Sequence, residues 1–131
     1  MKIPAKKLLV SLMLALPLIA SAKVCETWNV DGDDEKGSIS GVWNFNYGSN
    51  PGQMTGNGHM KAGSGEISYF DVSAKVAHFN AYIKTENASN KISCTFLGRY
   101  VGNDQVVGTY SCVPDIGKFY NWSAKVNVCK P

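Results

Sequence analysis

His59 and His78 are the two histidines of this 131-residue chain, and they are the first place to look for acid–base or zinc chemistry. That chemistry needs an imidazole to converge with carboxylates or further ligands. Neither histidine has such a neighbour at ligand spacing, and both fall on the side of their segment that reads as outward. The carboxylates concentrate in Asp31-Gly32-Asp33-Asp34-Glu35-Lys36-Gly37. An EF-hand loop places glycine at position 6 and glutamate at position 12. Counted from Asp31 those positions hold Lys36 and Val42, so the stretch reads as a solvated turn between two strands. Gly56-Asn57-Gly58 and Gly63-Ser64-Gly65 lead into no nucleotide-binding helix. No GxSxG, SxxK, HExxH or Walker pattern occurs. A dispersed catalytic pair, such as Asp71 with Glu66, would leave no local motif. No metal ligand set and no cofactor is expected.

Binding without catalysis has its own candidates. Exposed Trp or Tyr beside Asn stacks on sugars and hydrogen-bonds their hydroxyls. Trp28, Tyr120 and Trp122 are the candidate binding residues, because their faces are the least determined by pattern. The competing role for these rings is to fill a small barrel. Asn87-Ala88-Ser89 and Asn121-Trp122-Ser123 match the glycosylation triplet, which matters only in a eukaryotic secretory pathway.

Four cysteines (Cys25, Cys94, Cys112 and Cys129) show no CxxC spacing and read as two disulfides. Cys94, Phe96, Gly98 and Tyr100 alternate with Ser93, Thr95, Leu97 and Arg99. After Gly102-Asn103-Asp104, Val106, Gly108, Tyr110 and Cys112 alternate with Gln105, Val107, Thr109 and Ser111. A hairpin centred on Asn103 sets Cys94 opposite Cys112, Phe96 opposite Tyr110 and Gly98 opposite Gly108. Directly opposed antiparallel residues have the separation a disulfide tolerates. Cys94–Cys112 is therefore expected, and Cys25–Cys129 follows by elimination.

The same period-two pattern covers the rest of the chain. Ile39, Gly41, Trp43, Phe45 and Tyr47 share a face; so do Met54, Gly56, Gly58, Met60 and Ala62 after the turn at Gly48–Gly52. Their pairing brings Trp43 near Gly58 and Phe45 near Gly56, large rings over glycines in a curved sheet. Ser73-Ala74-Lys75-Val76 recurs as Ser123-Ala124-Lys125-Val126. Two hairpin-plus-strand units at 39–76 and 92–126 follow, either duplicated or simply reusing a strand pattern. Within 77–84, Ala77, Phe79, Ala81 and Ile83 alternate as a strand, which is favoured over a helical stripe of Val76, Phe79 and Ile83 capped by Ser73. With a further strand near Val24–Val30, the fold class is all-β: a small antiparallel meandering barrel or sandwich of about eight strands with two disulfides.

Ile39-Ser40-Gly41-Val42-Trp43 with Gly48-Ser49 resembles the opening strand and turn of the avidin and streptavidin family, and Thr95 to Gly102 resembles one of its later strands. The resemblance implies an eight-stranded up-and-down barrel. It departs at the ligand site: the family's biotin-contacting asparagine, two residues after the first tryptophan, is Phe45 here, and Ser49 alone carries over.

Lys2, Lys6 and Lys7, the apolar run Leu8 to Ile19, and Ala20-Ser21-Ala22 form a signal peptide over 1–22, cleaved before Lys23. Val24 before Cys25 does not fit a lipoprotein site. No later segment is apolar enough to span a bilayer. The whole chain has 13 basic and 10 acidic residues. Removing the three leader lysines balances the two, so the basic character belongs to the precursor and nucleic acid is not an expected partner. Residues 23–131, roughly 110, make one domain. The expectation is a bacterial protein, secreted or periplasmic. The leading function is non-catalytic binding of a protein partner, a hydrolase or a host-surface factor, through loops and outer surface. The alternatives are a small-ligand or glycan binder, and a small secreted hydrolase with dispersed catalytic residues.

Overall fold

A computed structural model describes residues 25–115 and 117–129; the signal peptide expected over 1–22 lies outside the described residues. Eight strands run in chain order: β1 (Cys25–Asp34), β2 (Gly37–Tyr47), β3 (Gln53–Lys61), β4 (Ile67–Ala77), β5 (Asn80–Glu86), β6 (Ser93–Tyr100), β7 (Gln105–Val113) and β8 (Tyr120–Cys129). Each pairs antiparallel with the next, and β8 returns to β1, so the sheet is a closed up-and-down barrel. Closure leaves no strand edge unpaired.

The registers expected from alternation hold. Cys94 stands opposite Cys112, Phe96 opposite Tyr110 and Gly98 opposite Gly108. Trp43 stands opposite Gly58 and Phe45 opposite Gly56. Both disulfides form as expected, Cys94–Cys112 and Cys25–Cys129. The second lies across the β1–β8 seam, where Cys25 and Cys129 are register partners, and so staples the point at which the barrel closes.

The segment 77–84 differs from the expected continuous strand. β4 ends at Ala77, His78 and Phe79 form a two-residue turn, and β5 starts at Asn80. Both turn residues have positive φ, 51° and 68°. Two-residue hairpin turns favour that geometry because it matches strand twist. Asn and Gly usually supply it; here His and Phe do, so the pattern runs through the turn unmarked. Ala81 and Ile83 do face the core, but Phe79 is exposed.

The interior is aromatic. Trp28, Trp43, Trp122 and Phe96 meet around the barrel axis, with Trp43 at 4.8 Å from Phe96 and 5.7 Å from Trp122 between ring centroids. Space for these rings comes from glycines. Trp122 has Gly32 as its partner on β1 and Gly108 on β7. A Cβ on Gly58 would lie 2.7 Å from Trp43 Cδ1. Trp122 Nε1 donates to the carbonyls of Leu97 and Thr109 at 3.2 and 3.1 Å. Leaving a buried N–H unpaired is costly, and these carbonyls satisfy that of Trp122, whereas Trp43 Nε1 is buried with no partner among the described residues.

Candidate functional site

The barrel's two ends are built differently. At the end where β1 begins, Glu26 turns inward and acts as a plug. Its carboxylate accepts from Trp28 Nε1 at 2.9 Å and from the Tyr47 hydroxyl at 2.7 Å. Tyr100 packs edge-on against Trp28. Burial, reinforced by the Glu26 charge, pushes the Tyr100 phenol up to about 12. Tyr47 is also raised, by burial and by its bond to Glu26. These phenols stay neutral donors at any physiological pH.

The opposite end is open. A cavity of about 160 Å³ enters the barrel there. Its deep end is Phe96 and Tyr110, stacked with centroids 4.7 Å apart and planes 15° apart. Ile39, Met60 and Phe70 form one wall, and the Cys94–Cys112 disulfide with Thr85 forms the other. Thr85 is the buried polar residue of the described core, 5 % exposed, and stands beside Cys94 in the β5–β6 register. Asn87, Asn90 and Ile92 border the cavity from the β5–β6 connection.

This rim is held by its own hydrogen bonds. Asn87 Oδ1 accepts from the backbone N–H groups of Ser89 and Asn90, and Asn90 Oδ1 from that of Ile92. Such Asx turns stiffen a connection that would otherwise be mobile. They also occupy the side chain of Asn87, the acceptor of the first glycosylation triplet. Asp34 does similar work on the far side. Its Oδ1 accepts from the N–H groups of Lys36 and Gly37, and its Oδ2 from that of Gly63 at 2.8 Å. The acidic stretch is thus the expected turn, with one carboxylate tying the β1–β2 turn to the β3–β4 connection. Lys118 bonds Glu35 and so links the β7–β8 connection to the same turn. The Tyr110 hydroxyl donates to the Asp33 carbonyl at 2.6 Å. Burial raises the Tyr110 phenol well above its usual range, with the Asp34 charge second.

Trp28 and Trp122 are inside the barrel, 0 % and 3 % exposed, and Tyr120 is half-buried against Tyr110. None of the three lines the open cavity. Ser49 sits exposed in the β2–β3 turn at the plugged end. His59 lies on the outer face of β3 against Tyr69, and His78 in the β4–β5 turn, so the two do not converge. Asp71 stands across from Glu86 rather than Glu66. Among the described residues no three His, Cys, Asp or Glu side chains gather as a metal site, and no helix is long and apolar enough to cross a membrane. The sequence did not mark the cavity. Its lining comes from seven of the eight strands or their ends. Only the alternation that aims Ile39, Met60, Phe96, Tyr110 and both cysteines to one face hinted at it.

No protein-family model and no curated protein sequence matches the chain. Solved structures do. The chain is similar to a de novo designed fluorescence-activating β-barrel, with TM-score 0.62 and 13% identity over 77% of this chain and 91% of that one. EF1p2_mFAP2b bound to DFHBI matches with TM-score 0.62 and 16% identity over 77% and 90%. The redesigned barrel mFAP1 bound to DFHBI matches with TM-score 0.60 and 18% identity over 76% and 91%. At these identities the likeness shows a shared fold, the closed eight-stranded barrel.

Proposed function

We propose that this protein is a non-catalytic binding protein whose barrel mouth holds one compact, neutral, largely apolar ligand. The observation that carries this reading is the cavity of about 160 Å³ at the open end, walled by Ile39, Met60, Phe70, Phe96 and Tyr110. An apolar cavity of ~150 Å³ holds a benzene-sized molecule. Ligand sites of this kind combine apolar walls with a few polar groups that set orientation. Thr85 and the rim asparagines supply those groups. A charged ligand is disfavoured, because Asp34 is the one carboxylate at the cavity and its oxygens already accept three backbone N–H groups. Neighbours of the same fold, mFAP1 and EF1p2_mFAP2b, are bound to a small molecule, DFHBI, which supports a small ligand over a protein partner.

A protein partner at the loops is the reading for a disulfide-stapled scaffold with no active-site motif whose aromatics fill the barrel. The interior is filled at the plugged end, but the open end is not, and that moves the preference. Export belongs to the proposal too. Two disulfides suit an oxidising compartment outside the cytoplasm, and the leader at 1–22 would direct the chain there.

Calorimetric titration with indole tests the reading. Saturable one-to-one binding is expected, abolished by Ala62→Trp, which fills the mouth. Absence of binding, or equal binding by the filled variant, would overturn it.

A further inference from the structure

The outer face of the barrel carries a second arrangement, separate from the mouth. Asn44, Asn57, Asp71 and Glu86 are successive register partners across β2, β3, β4 and β5. Neighbouring strands lie about 4.8 Å apart, so this row runs roughly 14 Å across the sheet. All four residues are exposed. One step toward the open end on the same face, Tyr69 stands opposite His59, with ring centroids 5.8 Å apart. Tyr69 is 72 % exposed, an unusual place for an aromatic ring. The row and the ring line one groove of about 430 Å³, closed by Ala88 and Ser89.

Two features separate this groove from ordinary sheet surface. Asp71 faces Glu86 directly, and like charges in that position destabilise a sheet. Lys84 offsets part of this by pairing with Glu86 at 3.4 Å, leaving Asp71 with no partner in that pair. In addition, a flat ring lies beside a line of amide and carboxylate groups of fixed spacing. The ring offers an apolar, electron-rich face. The row offers both donors and acceptors. A ligand that presents C–H groups on one face and hydroxyls along its edge satisfies both at once.

We infer that this groove binds a neutral, extended oligosaccharide, one sugar ring stacked on Tyr69 and hydroxyls along Asn57, Asp71 and Glu86. Tyr69 also suits a nucleobase, but Asp71 and Glu86 would repel the phosphates that dominate nucleic-acid affinity. The same carboxylates disfavour anionic glycans. A β-1,4-linked chain is flat enough to lie across the strands.

The test is amide chemical-shift mapping of the folded protein with cellotetraose and chitotetraose, with a heparin oligosaccharide as the anionic comparison. Saturable shifts at Asn57, Tyr69 and Asp71 with at least one neutral probe are expected. Tyr69→Ala should weaken binding by at least about tenfold, equivalent to roughly 1.4 kcal/mol. Tyr69→Phe should keep it, and both variants should melt close to the parent because the ring is exposed. No shift with either neutral chain, tighter binding of heparin, or undiminished binding by Tyr69→Ala would overturn the inference. Shifts confined to the barrel mouth would do the same while leaving the cavity reading intact.

Discussion

Phe96 and Tyr110 stack face to face across β6 and β7, directly below the Cys94–Cys112 bridge on the same inward face. The deep end of the open cavity is therefore fixed by ring stacking, and its side wall by a covalent bond. The Tyr110–Asp33 bond adds a third restraint from β1. A cavity whose walls are held before the ligand arrives loses little conformational entropy on binding. That is the physical basis for reading this end as a binding site and the Glu26-plugged end as structure.

The packing of Trp43 on Gly58 should be costly to disturb. A Cβ on Gly58 would approach Trp43 Cδ1 at 2.7 Å, the Val42 carbonyl at 2.9 Å and Phe70 Cε1 at 3.1 Å. Gly58→Ala is expected to destabilise by about 1–3 kcal/mol, the usual range for overpacking a core. Urea denaturation measures it. Because Phe70 is one of the crowded groups and walls the cavity, ligand affinity should fall as well. A neutral substitution would contradict the packing.

The β4–β5 turn makes the opposite forecast. His78 and Phe79 occupy left-handed conformations that cost non-glycine residues about 1–2 kcal/mol. Phe79 is 74 % exposed, so replacing it removes no core contact. Changing His78-Phe79 to Asn-Gly should raise stability by about 1 kcal/mol. A thermal melt showing loss of stability would mean that these side chains do something in the fold beyond forming the turn.

Much of the barrel was legible in the sequence because its signal is periodic. A one-residue slip would have put Cys94 and Cys112 on opposite faces, so cysteine placement and alternation fixed one register together. Trp43 over Gly58 was legible for the same reason. The His78-Phe79 turn was not, since turn chemistry is normally read from Gly and Asn and neither is present. Trp28, Tyr120 and Trp122 have no decisive face in the sequence pattern, which is why they stand as binding candidates there. Trp28 and Trp122 lie in the core, and Trp122 does so because Gly32 and Gly108 leave room beside it, a relationship between strands that no local window contains. The cavity was invisible for a related reason: it is the space left between side chains of strands far apart in the chain.

The tie between Glu35 and Lys118 has a defined pH window. The hydrogen bond from Lys118, followed by one involving Tyr120, holds Glu35 below its ordinary 4.5. A depressed carboxyl contributes stability above its unfolded pKa and loses it as pH falls through the folded one. The same bond raises Lys118 above its ordinary 10.5, so its contribution holds below that value and fades as pH rises beyond it. Amide exchange around Lys118 should therefore be slower in the parent than in Lys118→Met at neutral pH. The difference should vanish as acid protonates Glu35 below its ordinary 4.5. A difference that persists in acid would assign the ordering of this connection to another contact.

Export has a direct readout. Mass spectrometry of the protein recovered from outside the cytoplasm should begin at Lys23, with both disulfides intact. A retained Met1, or a lipid on Cys25, would contradict the leader proposed for 1–22.

Everything proposed for the barrel's function depends on its open end being a ligand site. Methyl-resolved NMR during titration with indole tests it most directly, because Ile39, Met60 and Ile92 line the cavity and carry resolvable methyl groups. Saturable shifts at these three are expected, with little change at Val106 and Val126 deeper in the barrel or at Leu97 outside it. Unmoved cavity methyls at saturating indole, or shifts centred on Leu97 and the outer face, would contradict it.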